Sequence, residues 1–335
     1  MQQLQSAFGM FGLLAIAWLL SERRGAVSWR QAAIGLAVTF ACATLFLKLP
    51  QVTVVFSGIN QAVDAIADAT KAGTAFVFGY VGGGPLPFEL KVPGAEFSLA
   101  FQALPVVLVM SVLTSLLFHW HILPPIVRAL SWVLERTLGV GGAVGLSAAA
   151  NIFLGMIEAP LFIRPYLVNL TRAELFVVMT AGMACIAGTV LVIYATLLAP
   201  IIPDAPAHLV VASVLDAPAA ILIAMIMIPD PQGPRTGAAL VSGRKAAGTM
   251  DAIVQGALTG LELLLAICVM LIVLVALVHL ANAILGLLPE IGGAPISLQR
   301  ALGLVMAPVC WLMGIPWKDA MTAGSLMGIK TVLNE

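Results

Sequence analysis

Of the 335 residues, 61% are hydrophobic and 10% charged, with a mean hydropathy of +1.07. A soluble domain is roughly half apolar and a quarter charged, so water is not the main solvent of this chain. Sixteen basic and sixteen acidic residues give a formal charge of zero, which leaves no excess positive charge to draw nucleic acid. Cys42, Cys185, Cys268 and Cys310 are scattered through apolar runs without a CxxC pair. They read as buried thiols, not as a disulfide framework or a metal site.

A helix needs roughly 17–25 mostly apolar residues to cross a hydrocarbon core. Candidate crossings are residues 8–20, 31–49, 97–120, 175–200, 209–228 and 252–288, which predicts an all-α integral membrane protein. The first apolar run precedes its basic cluster and no small-residue cleavage site closes it, so it reads as a retained span. Arg23, Arg24 and Arg30 follow the first span, Arg128, Arg136, Arg164 and Arg172 the third, and Arg235, Arg244 and Lys245 the fifth. The opposite loops hold only Lys48, Lys71, Lys91 and Arg300. The positive-inside rule then predicts a periplasmic N-terminus.

Within 51–96 the pattern changes. Ile59, Val63, Ile66 and Ala67 recur at helical spacing while Asp64, Asp68 and Lys71 take another face, as in a helix lying in the membrane interface. Gly82, Gly83, Gly84, Pro85 and Pro87 mark a turn-rich loop. Residues 123–138, with Arg128, Glu135 and Arg136 among apolar positions, form a second interfacial candidate.

The segment 139–166 reads GVGGAVGLSAAANIFLGMIEAPLFIRPY, too polar and interrupted for a simple span. Asn151 and Glu158 flank Gly155, and Pro160 follows. Proline is tolerated in a first helical turn, so a break near Gly155 and a restart near Glu158 are expected. Two half-helices of about 8–10 residues reach roughly 12–15 Å each, half a bilayer. The segment is therefore expected to be a re-entrant hairpin entering from the cytoplasmic side. An acid at the centre of a span costs on the order of 2.5–3.5 kcal/mol, so Glu158 is a site candidate, the bland alternatives being a pair with Arg164 or a protonated acid in a packed interface.

Other patterns point less far. Gly139, Gly141, Gly142 and Gly145 lack the strand and the GK[ST] ending of a phosphate loop and are expected to serve close helix packing. His119, His121, His208 and His279 lack metal-ligand spacing. The Asn169-Leu170-Thr171 sequon falls on the side predicted to be cytoplasmic. Asp216, before Ala217 and Pro218, is either a second buried acid or part of a kink.

At this point the sequence resembles the concentrative nucleoside transporters. WLLSERRGAVSWR at 18–30 is similar to the family's first cytoplasmic loop, GTAFVFGY at 73–80 to its interfacial signature, and ANIFLGMIEAPLFIRPYL at 150–167 to its first hairpin. TRAELFVVMTAGMACIAGTVLVIYA at 171–195 resembles the helix that follows, and GIPWKDAMTAGSLMGIKTVLNE at 314–335 the second carboxylate-bearing helix.

The resemblance implies a homotrimer of multi-span subunits built from inverted repeats, in a bacterial inner membrane, importing nucleosides with H+ or Na+ and using no cofactor. It divides the chain into scaffold spans and interfacial helix (1–96), a gate region with hairpin and following helix (97–200), and a transport region (201–335). Met156, Ile157 and Glu158 at the hairpin tip, with Val190, would face the nucleobase. Asn334 and Glu335 match the pair whose glutamate contacts ribose hydroxyls. Asn151, Leu154, Cys185 and Ile186 match the sodium site.

Three departures stand out. A common Gln-Thr is Met156-Ile157 here, leaving apolar contact to the base. A serine of the ion site is Cys185, whose sulfur is a soft ligand for a hard cation. The chain also stops at Glu335, before the family's second hairpin and last helix, so a C-terminally incomplete carrier is expected. The competing expectations are a non-transporting membrane fragment and an intramembrane enzyme with Glu158 and Glu335 as acid and base.

Overall fold

Small residues decide which helices approach most closely. The computed structural model describes residues 2–48, 51–92, 94–156, 159–198, 201–230, 246–289 and 295–333, and these form twelve α-helices with 3-10 and π turns and no strand. They divide into two compact units, Ser21–Leu264 and Met1–Leu20 with Leu265–Glu335.

The larger unit begins with α2 (Trp29–Lys48) and α3 (Gln51–Phe78). It continues through α4 (Val106–His119), α5 (Leu123–Leu138) and α6 (Gly142–Asn151) to α7 (Arg172–Ala184), α8 (Gly188–Leu198) and α9 (Ala205–Met227). At its centre lies α6, every residue of which is buried. Its sequence GAVGLSAAAN lets neighbouring backbones close in where dispersion replaces the hydrophobic effect. A Cβ at Gly145 would sit 2.9 Å from Glu135 Cγ and 3.2 Å from the Ser131 carbonyl, so the expected close packing is with α5. Helix α5 buries Leu123, Val127, Ser131, Leu134 and Leu138 on one stripe and exposes Arg128, Trp132 and Arg136 on the other, as its interfacial pattern predicts. Gly139, with φ 68°, ends it in the left-handed region.

The hairpin breaks where expected: α6 stops at Asn151, and a second arm runs over Ala159–Asn169 and packs back on α6. This arm is a 3-10 helix interrupted by Pro165, which removes a backbone donor and crowds the preceding turn. Phe162 stacks on Phe118 of α4, with ring centroids 4.8 Å apart.

Three expectations need correction. The crossing predicted at 175–200 is two helices, α7 and α8, separated by Cys185–Ile186–Ala187. The helix predicted around 59–71 runs the full length of α3 and packs on α4, α8 and α9. Its buried Val63 and exposed Asp64, Asp68 and Lys71 still keep the predicted faces. The span predicted at 97–120 opens with a π turn, Leu99–Ala103, before α4.

Helix α10 (Thr249–Leu285) starts in this unit, where a Cβ at Gly256 or Gly260 would lie 2.7 Å or 2.9 Å from the Cα of Val112 or Leu108 in α4. In the other unit, α1 (Gln2–Leu19) crosses α11 (Leu298–Leu312) at Gly9 and Gly12, against Leu312. The Gln5 side-chain amide closes the end of α11: its Nε2 donates to the carbonyls of Trp311 (2.7 Å) and Ile315 (3.0 Å). Helix α11, absent from the predicted spans, pairs with α12 (Trp317–Leu333) across Gly303, Gly324 and Gly328.

Among the described residues, four segments are long and apolar enough to cross a membrane: Trp29–Phe46, Leu99–His119, Ala205–Met227 and Thr249–Leu285. Exposed Leu258, Leu261, Val269, Ile272 and Leu280 on α10 form the kind of apolar surface that needs lipid or a protein neighbour.

A Cβ at Gly324 would come within 2.6 Å of the Gly303 carbonyl oxygen and 2.8 Å of the Ala307 nitrogen, both backbone atoms that cannot step aside. Gly324→Ala should therefore cost about 1–3 kcal/mol. Thermal unfolding in detergent checks this against Gly58→Ala, where nothing lies within 4 Å and stability should hold or rise.

Candidate functional site: a hairpin tip against a broken helix

Ending a helix inside a membrane exposes carbonyls that have lost their donors. Helix α7 is fixed at its start by Thr171 and Glu174, which cap each other's backbone amides (3.1 and 3.0 Å) in the T-x-x-E pattern. It ends at Ala184, and Cys185 turns extended at φ −83°, ψ 147°. The Asn151 side chain, 2% exposed, donates from Nδ2 to the carbonyls of Ala181 (3.0 Å) and Gly182 (3.3 Å). Two carbonyls at one end of the amide require its NH2 there, so Oδ1 points away from them. That oxygen is buried and has no hydrogen-bond partner among the described residues.

The hairpin tip lies across the break. A Cβ at Gly188, the first residue of α8, would sit 2.5 Å from the Phe153 carbonyl oxygen, and one at Gly182 would sit 3.2 Å from Met156 Cβ. Two glycines thus let the tip approach on either side of Cys185. Helix α9 braces the break from behind: Ser213, 1% exposed, donates its hydroxyl to the Ile186 carbonyl at 3.1 Å. Cys185, Ile152 and Ala217 form one buried apolar cluster, with Phe153 and Val214 packed on it.

The structure therefore sets the tip residue Asn151 against the end of α7, packs Cys185 on Ile152 and ties the Ile186 carbonyl to α9, while Leu154 lies in the core with residues of α6 and α7, all within the larger unit. Met156 is half exposed at the tip, and Val190 is half-buried in the first turn of α8. Ile157, Glu158, Asn334 and Glu335 lie outside the described residues. Asp216 is half-buried on α9, which runs unbroken through Pro218. Sequence reasoning missed Ser213 and the glycine pair. The signal for the pair was present, since two glycines inside one apolar helical pattern ask for a reason. All four cysteines are free, and no three His, Cys, Asp or Glu side chains among the described residues gather as for a metal ion.

Three family descriptions tile the sequence in order: "Na+ dependent nucleoside transporter N-terminus" over residues 8–81, "Nucleoside recognition" over 100–201, and "Na+ dependent nucleoside transporter C-terminus" over 208–335. The chain belongs to the concentrative nucleoside transporter family. It is 36% identical over 339 residues to "Uncharacterized transporter YutK" of Bacillus subtilis, covering 100% of this chain and 80% of that one. It is 33% identical over 338 residues to "Nucleoside permease NupC" of Helicobacter pylori, covering 98% and 77%. The structure of CNTnw in an inward-facing, substrate-bound state superposes with a TM-score of 0.88 at 32% identity, covering 100% of this chain and 79% of that one. The family and its structural neighbours are transporters, which sets aside the intramembrane enzyme.

The approach of Gly188 to the Phe153 carbonyl yields a test. Gly188→Ala should push the tip off the break and uncover Cys185, which is 3% exposed. In a Cys42→Ala, Cys268→Ala background, a membrane-permeant maleimide should label Cys185 at least about tenfold faster in the variant, since exposure governs thiol access. An unchanged labelling rate would show that the tip is not held by that contact.

Proposed function

We propose that this protein imports nucleosides across the bacterial inner membrane by symport with sodium, the ion seated between the hairpin tip and the α7–α8 break. The observation that carries the reading is the buried, unpaired Oδ1 of Asn151. An orphaned acceptor there costs about 1–3 kcal/mol unless something donates to it or coordinates it. An amide does not titrate, so this oxygen cannot itself carry a proton, whereas it is a hard ligand that a cation can use. The Leu154 and Ile186 carbonyls are the hard oxygen ligands that belong beside it, and Cys185 is the soft member of the set. Sodium is thus favoured over H+, and the family's description as Na+ dependent supports that choice.

In this reading Met156, Ile157, Glu158 and Val190 meet the nucleobase, and Asn334 and Glu335 the ribose. A carboxylate can accept from two neighbouring hydroxyls in charge-assisted bonds, while Met156 and Ile157 offer the base only shape and dispersion. The periplasmic N-terminus and homotrimeric assembly belong to the same proposal, supported by the basic loops after the first, third and fifth spans and by the exposed apolar surface of α10.

Uptake of labelled nucleoside into proteoliposomes tests the ion. An imposed sodium gradient should drive accumulation, and Asn151→Ala should reduce it by at least about tenfold, the worth of one or two buried polar contacts. Equal uptake on a pH gradient in sodium-free buffer would overturn the reading.

A panel of competitors tests the pocket. Nucleosides with different bases should compete within about tenfold of one another, whereas removing ribose hydroxyls should cost at least about a hundredfold, because a site built to bond a hydroxyl rejects analogues without it. A sharp preference for one base would count against an apolar tip.

A further inference from the structure

Asp216 is the middle residue of the 23-residue α9, itself an apolar span. An aspartate at that depth costs on the order of 2.5–3.5 kcal/mol on insertion, which a structural or functional partner must offset. Nothing in the proposed nucleoside contacts uses it.

Its neighbours say what it serves. Ser213, three residues earlier on the same face, holds the Ile186 carbonyl. Val214 and Ala217 pack against Cys185 and Ile152. The Asp216 carboxylate lies within electrostatic reach of Cys185. This stretch of α9 therefore faces the ring of groups around the Asn151 Oδ1.

That ring is chemically incomplete for a hard cation. Its members are an amide oxygen, backbone carbonyls and a thiol, all neutral, and the sulfur is a poor ligand for sodium. Neutral oxygens can replace a cation's water, but where sulfur takes the place of one of them an anionic oxygen offsets both the lost ligand and the unbalanced charge. We propose that Asp216 supplies that counter-charge, reaching from α9 to complete the cation site at Asn151, Cys185 and Ile186 with a hard, anionic oxygen. The proposal rests on the sodium reading and adds to it the residue that compensates for the thiol. Ser213 then acts as a positioning residue, fixing the Ile186 carbonyl beside the ion.

The probe is sodium alone, titrated against thermal stability of the purified, detergent-solubilised protein in choline buffer. The wild type should gain stability with sodium. Asp216→Asn should unfold at a similar temperature without sodium but need at least about tenfold more of it, the worth of a charge-assisted contact. Asp216→Ser, which removes the same charge with less bulk, should behave alike if the first variant folds poorly. Cys185→Ser should lower the half-saturating sodium by a larger factor in Asp216→Asn than in the wild type, because the hydroxyl matters most where the carboxylate is gone; a merely structural aspartate would give equal factors. Sodium titrations of Asp216→Asn and Asp216→Ser that overlay the wild type would overturn the proposal while leaving the sodium reading intact. Absence of any sodium effect on the wild type would overturn both.

Discussion

A backbone that stops being helical inside a membrane has no water to turn to, and at this break the carbonyls of Ala181 and Gly182 turn to the amide of Asn151. That single side chain links two interrupted elements, the hairpin tip that it ends and the helix that it faces. Burying α6 on every side fixes where Asn151 sits, and the small residues of α6 make that burial feasible. The glycines at 182 and 188 then let the tip close over the break, and Ser213 holds the break from α9. Each part is tolerable at this depth only because the others are present.

Much of this was legible in the sequence. The apolar spans announced a membrane protein, and Gly155 with Pro160 announced the hairpin within a few residues of where α6 stops. The faces read around 59–71 are those of α3, with Val63 buried and Asp64, Asp68 and Lys71 exposed. These signals are local: periodicity, proline, glycine and charge act within a turn or two of where they are read.

The break at 185–187 was not legible as a break, for the opposite reason. TAGMACIAGT carries no proline and no charge, and its residues suit a continuous apolar helix. What interrupts it is tertiary: Asn151 lies 30 residues away and Ser213 lies 27 residues away. Helix α11 escaped notice because Arg300 and Pro308 interrupt a run of only 15 residues, whose start is held by Asn282 of α10 and whose end is held by Gln5 of α1. Of the ten residues singled out for the site, Asn151 meets the end of α7 and Cys185 packs on Ile152, and no spacing rule in the sequence relates those two segments.

If the ion sits against Asn151 Oδ1, the geometry makes coupling a matter of shared parts rather than of signalling over distance. The same amide that would coordinate the cation holds the tip to α7, and Met156, the residue proposed to meet the nucleobase, sits on that tip. A cation that fixes the tip removes conformational freedom which the nucleoside would otherwise have to remove on binding, so each ligand favours the arrangement the other needs. Linkage then requires the effect to be mutual: whatever factor sodium adds to nucleoside affinity, the nucleoside must add to sodium affinity. A carrier with this property avoids running either gradient down alone, because each half-loaded state is the weaker-binding one. The neutral ring around Asn151 sets how strong that coupling can be, and the counter-charge proposed for Asp216 would raise it.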